Sequence, residues 1–376
     1  MAGCKRSIPL IRPYITDAVK KAVGEVLDSG YLTEGPVTKK LEAAIAAFTK
    51  TKHAIAVTSC TTGLELALRA LNIGPGDEVI VPDYTYPATA AVVAIVGATP
   101  VIVDVEPETM LMSRAAAEKA VTSRTRALIP VSLFGNPLDY SWIDELKNRH
   151  KLYVIEDAAC ALGASRQGRL VGSFADISVF SMHPRKFITT GEGGLITTNN
   201  DQWAAWMDSY KHFGLEATGT ERDKVHFARI GTNYKLSNVL AAIGLAQMEE
   251  IDMLLAERRA QAKRYIRLLA GDSRLSLPAI TPDGEHSWQT FCVFVSDRDR
   301  VMETLRAEGI EVQIGTYAIH AHPAFAAYRR INSEGGDVLT GSLEAYARAL
   351  ALPLYHGLSE DEQNYVVERL KVALGN

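Results

Sequence analysis

Between residues 54 and 198 the chain repeats one pattern: a short apolar run, a polar turn, then a segment with apolar residues at helical spacing. The runs AIAVTS (54–59), EVIVP (78–82), PVIVDV (100–105), RALIPVSLF (126–134), LYVIEDAA (152–159), DISVFSMH (176–183) and GGLITT (193–198) read as short buried strands. Between them TTGLELALRALNI (61–73), TYPATAAVVAIVG (85–97) and stretches near 113–121 and 140–150 predict helices, the first with Thr61 or Thr62 near its cap. Strands alternating with helices predict an α/β fold, with a mostly parallel central sheet sandwiched by helices.

The two ends differ from this middle. Thr16 caps a helix with Val19, Ala22, Val23, Val26 and Leu27 on its apolar face, and the loop SGYLTEGP separates it from a second helix that begins at Pro36. After about residue 240 one long helix carrying Glu249, Glu250, Arg258 and Arg259 leads to a smaller α+β unit. Its candidate strands are TFCVFV and IEVQIG, and its last helix covers about 359–373. The expected division is a large domain over 1–250, including a helical segment 1–50, and a small C-terminal domain over 251–376.

Composition narrows the class. With 47% apolar and 22% charged residues over 376 positions, the chain has the balance of a globular protein able to bury a large core. A formal net charge of −4 gives no footing for nucleic acid or an anionic membrane. No apolar run nears the roughly 18 residues of a membrane span, and MAGCKRSIPL lacks the apolar core and cleavage site of a secretory signal. Cys4, Cys60, Cys160 and Cys292 form neither a disulfide framework nor a zinc spacing, so the expectation is a reducing cytoplasm and no metal.

The candidate chemistry gathers at strand ends, where open parallel sheets bind ligands. Lys186 stands in SMHPRKFITTGEGG, just past a strand, close to Ser181 and ahead of a glycine-rich turn. Lysine ordinarily keeps its ammonium in water. In a partly dry cleft it sheds protons readily and attacks carbonyls to form imines. Asp157, at the end of an apolar strand, is the acid that an imine-forming pyridine cofactor needs at its ring nitrogen. The two together point to pyridoxal 5'-phosphate. One of the adjacent acids Glu156 and Asp157 must face inward and meet a cation, either a pyridinium or an arginine.

Other positions support this less strongly. TSCTTG (58–63) runs from strand into helix and reads either as a phosphate site or as a plain Ser/Thr cap. Tyr86, rather than Tyr84, is placed to lay a ring against a flat cofactor, although buried tyrosine is also ordinary core. The GEGG glycines permit a tight turn or a close backbone approach to a ligand. His183 either touches the site or is a hydrogen-bonded structural histidine.

Taken in order, IPLIRPYI, SGYLTEGPVTKKLE, GPGDEVIVP, TPVIVDVEPET, IEDAACALGA, FSMHPRKFITTGEGG and GTNYKLSNVLAAIGLAQ resemble the DegT/DnrJ/EryC1/StrS family of sugar aminotransferases over nearly the whole length. The resemblance implies fold type I of the pyridoxal phosphate-dependent transferases. It implies Lys186 joined to the cofactor as an aldimine, Asp157 facing the pyridine nitrogen and Ser181 on the phosphate. The family's phosphate turn falls at Cys60 and Thr61, its stacking aromatic at Tyr86, and a phosphate contact reaching across a homodimer interface at Asn233. Cys60 stands where the family has glycine, and Cys160 where a His or Gln bonds the cofactor's phenolic oxygen. Met182, Thr232 and Lys235 also depart from the pattern without removing the imine chemistry. A related dehydratase branch carries His in place of the lysine, so Lys186 favours transamination.

The expected reaction has two stages. L-Glutamate or L-glutamine gives its amine to the cofactor with Lys186 moving the proton, and a keto-sugar then receives it. By resemblance that acceptor is a nucleotide-linked keto-deoxysugar, or less often a keto-cyclitol. Thr33 in the loop Gly30–Pro36, His183, and Tyr317 and His320 of GTYAIHAH are the sugar-side candidates. Three rivals remain. Dehydration or another lyase chemistry would use the same cofactor. A non-catalytic regulator would usually bring a DNA-binding segment or basic patch, and a nicotinamide enzyme a G-x-G-x-x-G after the first strand; the chain shows neither.

Overall fold

The seven apolar runs become seven strands of one sheet in the computed structural model, which describes residues 7–217 and 224–375. They are β1 (His53–Val57), β2 (Glu78–Pro82), β3 (Thr99–Val103), β4 (Thr125–Leu128), β5 (Tyr153–Asp157), β6 (Ile177–Ser181) and β7 (Gly194–Thr198). Their spatial order is β1-β7-β6-β5-β4-β2-β3, and a two-residue strand from much later in the chain, Arg330–Ile331, extends the sheet beyond β3. β7 runs antiparallel to both neighbours, and every other pairing is parallel.

Helices α1 (Asp17–Ser29) and α2 (Pro36–Thr49) precede the sheet. It is covered by α3 (Cys60–Ala70), α4 (Ala88–Ile95), α5 (Arg114–Ala120), α6 (Tyr140–His150) and α7 (Asp201–Tyr210). Successive side chains of a strand point to opposite faces. On β2, Val79 and Val81 join the core beneath α3, α4 and α7, while Ile80 joins Ile143 and Leu146 beneath α5 and α6. Both faces are dry, which is why these runs show no polar alternation.

The Thr16 hydroxyl caps α1 by accepting the Val19 amide, and α2 starts at Pro36 as expected. The single long helix expected after residue 240 is instead two, α8 (Asn238–Met248) and α9 (Ile251–Leu269). At the break, Glu250 leaves helical geometry (φ −111°, ψ 13°) and its carboxylate accepts the Tyr14 hydroxyl at 2.6 Å. α8 is apolar on most sides and packs against α1 and α2, whereas α9 carries a charged outer face. The two halves face different surroundings, and a straight helix cannot serve both.

Beyond α9 lies a four-stranded antiparallel sheet in the order Leu275–Ser276, Phe291–Val295, Ala349–Leu352, Gln313–Ile314. It is accompanied by α10 (Arg298–Ala307), α11 (Thr340–Arg348) and α12 (Glu360–Leu374). Its core joins Tyr265, Phe291, Val293, Leu350 and Leu370, and takes in Ile8 from the opposite end of the chain through a bridge to Ile310. No described helix is long and apolar enough to cross a membrane.

Candidate active site

The carboxyl ends of β1, β5 and β6 meet at one place. In the ladder Gly194 of β7 lies opposite both Val57 and Ser181, so Ser181 sits one strand away from the start of α3. A Cβ at position 194 would lie 2.4 Å from Ser59 C and O and 2.6 Å from Cys60 N. Only glycine lets the helix begin there.

The cap of α3 is Ser59, with Thr61 and Thr62 in the first turn beside it. Ser59 is extended (φ −164°, ψ 163°), its Oγ accepts the Thr62 amide, and Thr62 Oγ1 in turn accepts the Ser59 amide. Ser59 O takes the Gly63 amide. The amides of Cys60 and Thr61 are left without an intrahelical acceptor, at the positive end of the helix dipole. Such a terminus accepts a phosphate.

Both adjacent acids are buried, rather than one of them. Glu156 is fully buried, and the hydroxyls of Ser132, Tyr140 and Ser178 donate to its carboxylate. Asp157, 5% exposed, turns the other way. Its Oδ2 accepts the Thr89 hydroxyl at 2.8 Å and its Oδ1 the Ala159 amide at 3.2 Å, with Cys60 Sγ 4.0 Å from Oδ1. Burial pushes the Asp157 carboxyl above the ordinary aspartate range against the opposing pull of these bonds and of Lys186. Among the described residues it has no ion-pair partner.

Lys186 follows β6 and is half-buried. Its Nζ donates to Cys160 Sγ at 3.0 Å. Burial pulls the ammonium down, but the neighbouring Cys160, Cys60 and Asp157 outweigh it, so the group is held above the ordinary lysine value. This differs from the readily discharged lysine that a dry cleft alone would give: desolvation acts as expected, and the nearby acidic groups reverse it. Burial and the charge of Asp157 keep Cys60 a thiol. The amine and the carboxylate each lie beside a cysteine sulfur and are close enough to act on each other's charge.

The outer candidates vary. Tyr84 is 1% exposed with its hydroxyl accepting the Thr316 amide, while Tyr86 is 65% exposed and presents its ring 6.3 Å from that of Tyr317. His320 is tied to the fully buried Asp83, with Nδ1 2.7 Å from Oδ2 and its amide on Oδ1, so only Nε2 is left for a ligand. The Ser181 hydroxyl accepts the His183 amide, and His183 Nδ1 accepts the Arg185 amide. Burial, then the cations Lys186 and Arg185, lower the His183 ring below the usual histidine value. Asn233 is exposed, its Oδ1 accepting the Lys235 amide, and it bridges to His212. Thr33 is exposed, but its carbonyl accepts the buried Asn238 amide. The next residue, Glu34, pairs at 3.1 Å with Lys211, a fully buried lysine that also meets Glu42 and Asp208. These three acids would suit a cation, but Lys211 and Lys39 already neutralise them.

Three residues near the centre gave no signal in the sequence. Thr89 holds Asp157, Ser287 Oγ donates to the Cys160 carbonyl, and Gln289 bonds the main chain on both sides of Lys186. Each is a common polar residue within an unremarkable segment, identifiable only once the fold brings it to the site. A buried carboxylate without a cation, a helix terminus with two open amides, an amine and an exposed aromatic ring fit a flat aldehyde that carries a phosphate and a protonated ring nitrogen.

The chain matches the model of the DegT/DnrJ/EryC1/StrS aminotransferase family over residues 13–371. It is 37% identical over 374 residues to a GDP-perosamine synthase of Caulobacter vibrioides, covering 98% of each chain. Among solved structures, a putative sugar aminotransferase of Streptococcus pneumoniae in its PMP form superposes with a TM-score of 0.91 at 29% identity, over 98% of this chain and 99% of that one. S. venezuelae DesV in complex with a ketimine intermediate gives 0.90 at 32%, with the same coverage.

Proposed function

The chain belongs to the DegT/DnrJ/EryC1/StrS aminotransferase family and is a pyridoxal phosphate-dependent, fold type I enzyme that passes an amino group to a keto-sugar; on that premise we propose that Lys186 and Asp157 carry the chemistry. The acceptor in this reading is a nucleotide-linked keto-deoxysugar, the donor is L-glutamate or L-glutamine, and the product is an aminosugar. The observation that carries it is Asp157, a buried carboxylate within the electrostatic reach of Lys186 and with no ion-pair partner among the described residues. When bound, the cofactor's pyridinium ring supplies the sink for the electrons of the donor's broken Cα–H bond.

The chain's own residues do the rest. Asp157 keeps the ring nitrogen protonated, and Thr89 fixes that carboxylate's direction. Lys186 bears the cofactor through Nζ and, when released, takes and returns the proton as general base and acid. The open amides of Cys60 and Thr61, with the Ser181 hydroxyl, hold the phosphate. Tyr86 covers one face of the ring. Cys160 accepts from Lys186 Nζ and would stand beside the bound ring. Thr33, His183, Tyr317 and Nε2 of His320 form the sugar side.

Asn233, exposed at the surface, supports a homodimer in which it reaches the partner's phosphate. The break at Glu249–Glu250 is the proposed seam between a large unit (1–250) and a small one (251–376). Cys60, Cys160 and Cys292 are free thiols, in keeping with action in a reducing cytoplasm.

The test is a half-reaction screen. Protein converted to the amine form of the cofactor is mixed with keto-sugars on different nucleotides, beginning with a GDP-linked one because of the 37% identical GDP-perosamine synthase. Return of the aldehyde chromophore with one of them is expected. Return with simple 2-oxo acids only would refute the sugar acceptor.

A further inference from the structure

The segment 286–289 braces the Lys186–Cys160 pair from the second half of the chain. Ser287 Oγ donates to the Cys160 carbonyl at 3.3 Å. Gln289, 5% exposed, spans Lys186: its Nε2 donates to the Arg185 carbonyl at 2.7 Å and its Oε1 accepts the Phe187 amide at 3.1 Å. One side-chain amide thus fixes the peptide planes before and after the lysine. The brace is itself held. Arg258 of α9 is buried with no carboxylate partner among the described residues, and its Nη1 donates to the carbonyls of Trp288 (3.0 Å), Gln289 (3.1 Å) and Leu354 (3.4 Å). Its guanidinium lies 5.2 Å from the centre of the Phe187 ring. Trp288 takes a left-handed backbone (φ 56°), which a bulky residue adopts only where its surroundings impose it. His286 imposes it, accepting the Trp288 amide at 2.8 Å and stacking on its ring.

We propose that Gln289 is a positioning residue for Lys186, setting the main chain from which the amine projects, and that Arg258 links this setting to α9. The proposal rests on the reading that Lys186 bears the cofactor. A lysine side chain has a flexible four-carbon stem, so the placing of its nitrogen depends on how firmly its root is held. A misplacement of about 1 Å at a reacting group can cost roughly 10²-fold in rate. An ordinary satisfied buried glutamine would stabilise the fold without this selectivity.

The test compares wild type, Gln289→Leu, which keeps the shape but loses both bonds, and Gln289→Glu, which keeps the acceptor for the Phe187 amide but loses the donor. In cofactor-free protein, hydrogen exchange of the Phe187 amide is expected to accelerate in the Leu variant while the rest of the map stays put. In the loaded enzyme, kcat for the donor half-reaction is expected to fall about 10²-fold with KM for the donor nearly unchanged, and Glu to fall between. Wild-type kcat and Phe187 protection in the Leu variant would overturn the proposal. So would exchange rising throughout the chain with kcat and KM degraded together, which marks a general structural role. If the Leu variant does not fold, the Glu variant decides by the same two readouts. A borohydride label on a lysine other than 186 in wild type would overturn the underlying reading and the proposal with it, a result distinct from an unchanged Gln289→Leu.

Discussion

A cysteine sulfur lies beside each of the two central groups, Cys160 Sγ 3.0 Å from Lys186 Nζ and Cys60 Sγ 4.0 Å from Asp157 Oδ1. With burial raising Asp157 and acidic neighbours raising Lys186, the cofactor-free centre holds its protons more tightly than free side chains do. A cationic ring nitrogen would reverse the pressure on Asp157, which makes this carboxylate the most sensitive point of the site. Asp157→Asn keeps shape and size but removes the charge, and the amine-forming half-reaction should slow by roughly 10²–10³-fold, measured from the decay of the aldehyde chromophore on adding L-glutamate. A rate within threefold of wild type would contradict the role given to the charge. At this scale the sequence was informative where a residue type is costly to bury. A lysine after a strand and an acid ending an apolar run have few bland explanations. It was silent on Thr89 and Gln289, because threonine and glutamine are unremarkable anywhere until the fold supplies their partners. Two buried acids rather than one were also beyond reach, since the hydroxyls that hold Glu156 come from three separate elements.

Elements are placed here by close backbone approach as much as by side-chain packing. Gly194 lets the antiparallel β7 touch the first turn of α3, which brings the Ser181 end of β6 beside two open amides. Gly194→Ala would force a methyl against Ser59 C and O, with no flexible side chain to yield. The expected result is a loss of about 1–3 kcal/mol in urea unfolding, together with weaker cofactor binding in a spectroscopic titration, because the displaced turn is the proposed phosphate end. Unchanged cofactor affinity would separate α3 from the phosphate. The strand–helix order was legible because both sheet faces are apolar and the helices between them are periodic. Thr61 and Thr62 lie near the cap of α3 as expected, but the cap itself, Ser59, was not singled out, since its backbone angles decide it. The break between α8 and α9 was missed because neither Glu249 nor Glu250 is a helix breaker, and the interruption comes from the change of environment.

Across the whole molecule, His286 is buried between the Trp288 ring, on which it stacks, and α9, whose Arg259 Nε donates to its carbonyl. Burial lowers its ring to about 3 in the folded protein, whereas an unfolded chain takes up that proton near 6.5. Between those values the unfolded state binds the extra proton. Stability from this site is therefore intact above pH 6.5 and lost as pH falls, by up to about 1.4 kcal/mol per pH unit. Urea midpoints from pH 7 to 4.5 should fall more steeply for wild type than for His286→Gln, and parallel acid limbs would refute this. The α/β class and the later α+β unit could be read from the sequence. Ile8 packing into the small core and Arg330–Ile331 edging the large sheet could not, because both are long-range pairings of very short segments. The central claim, that a single lysine bears the cofactor, is tested most directly by reducing the loaded enzyme with borohydride and mapping the labelled peptide. The label should fall on Lys186 and nowhere else; a stoichiometric label on any other lysine would contradict the account.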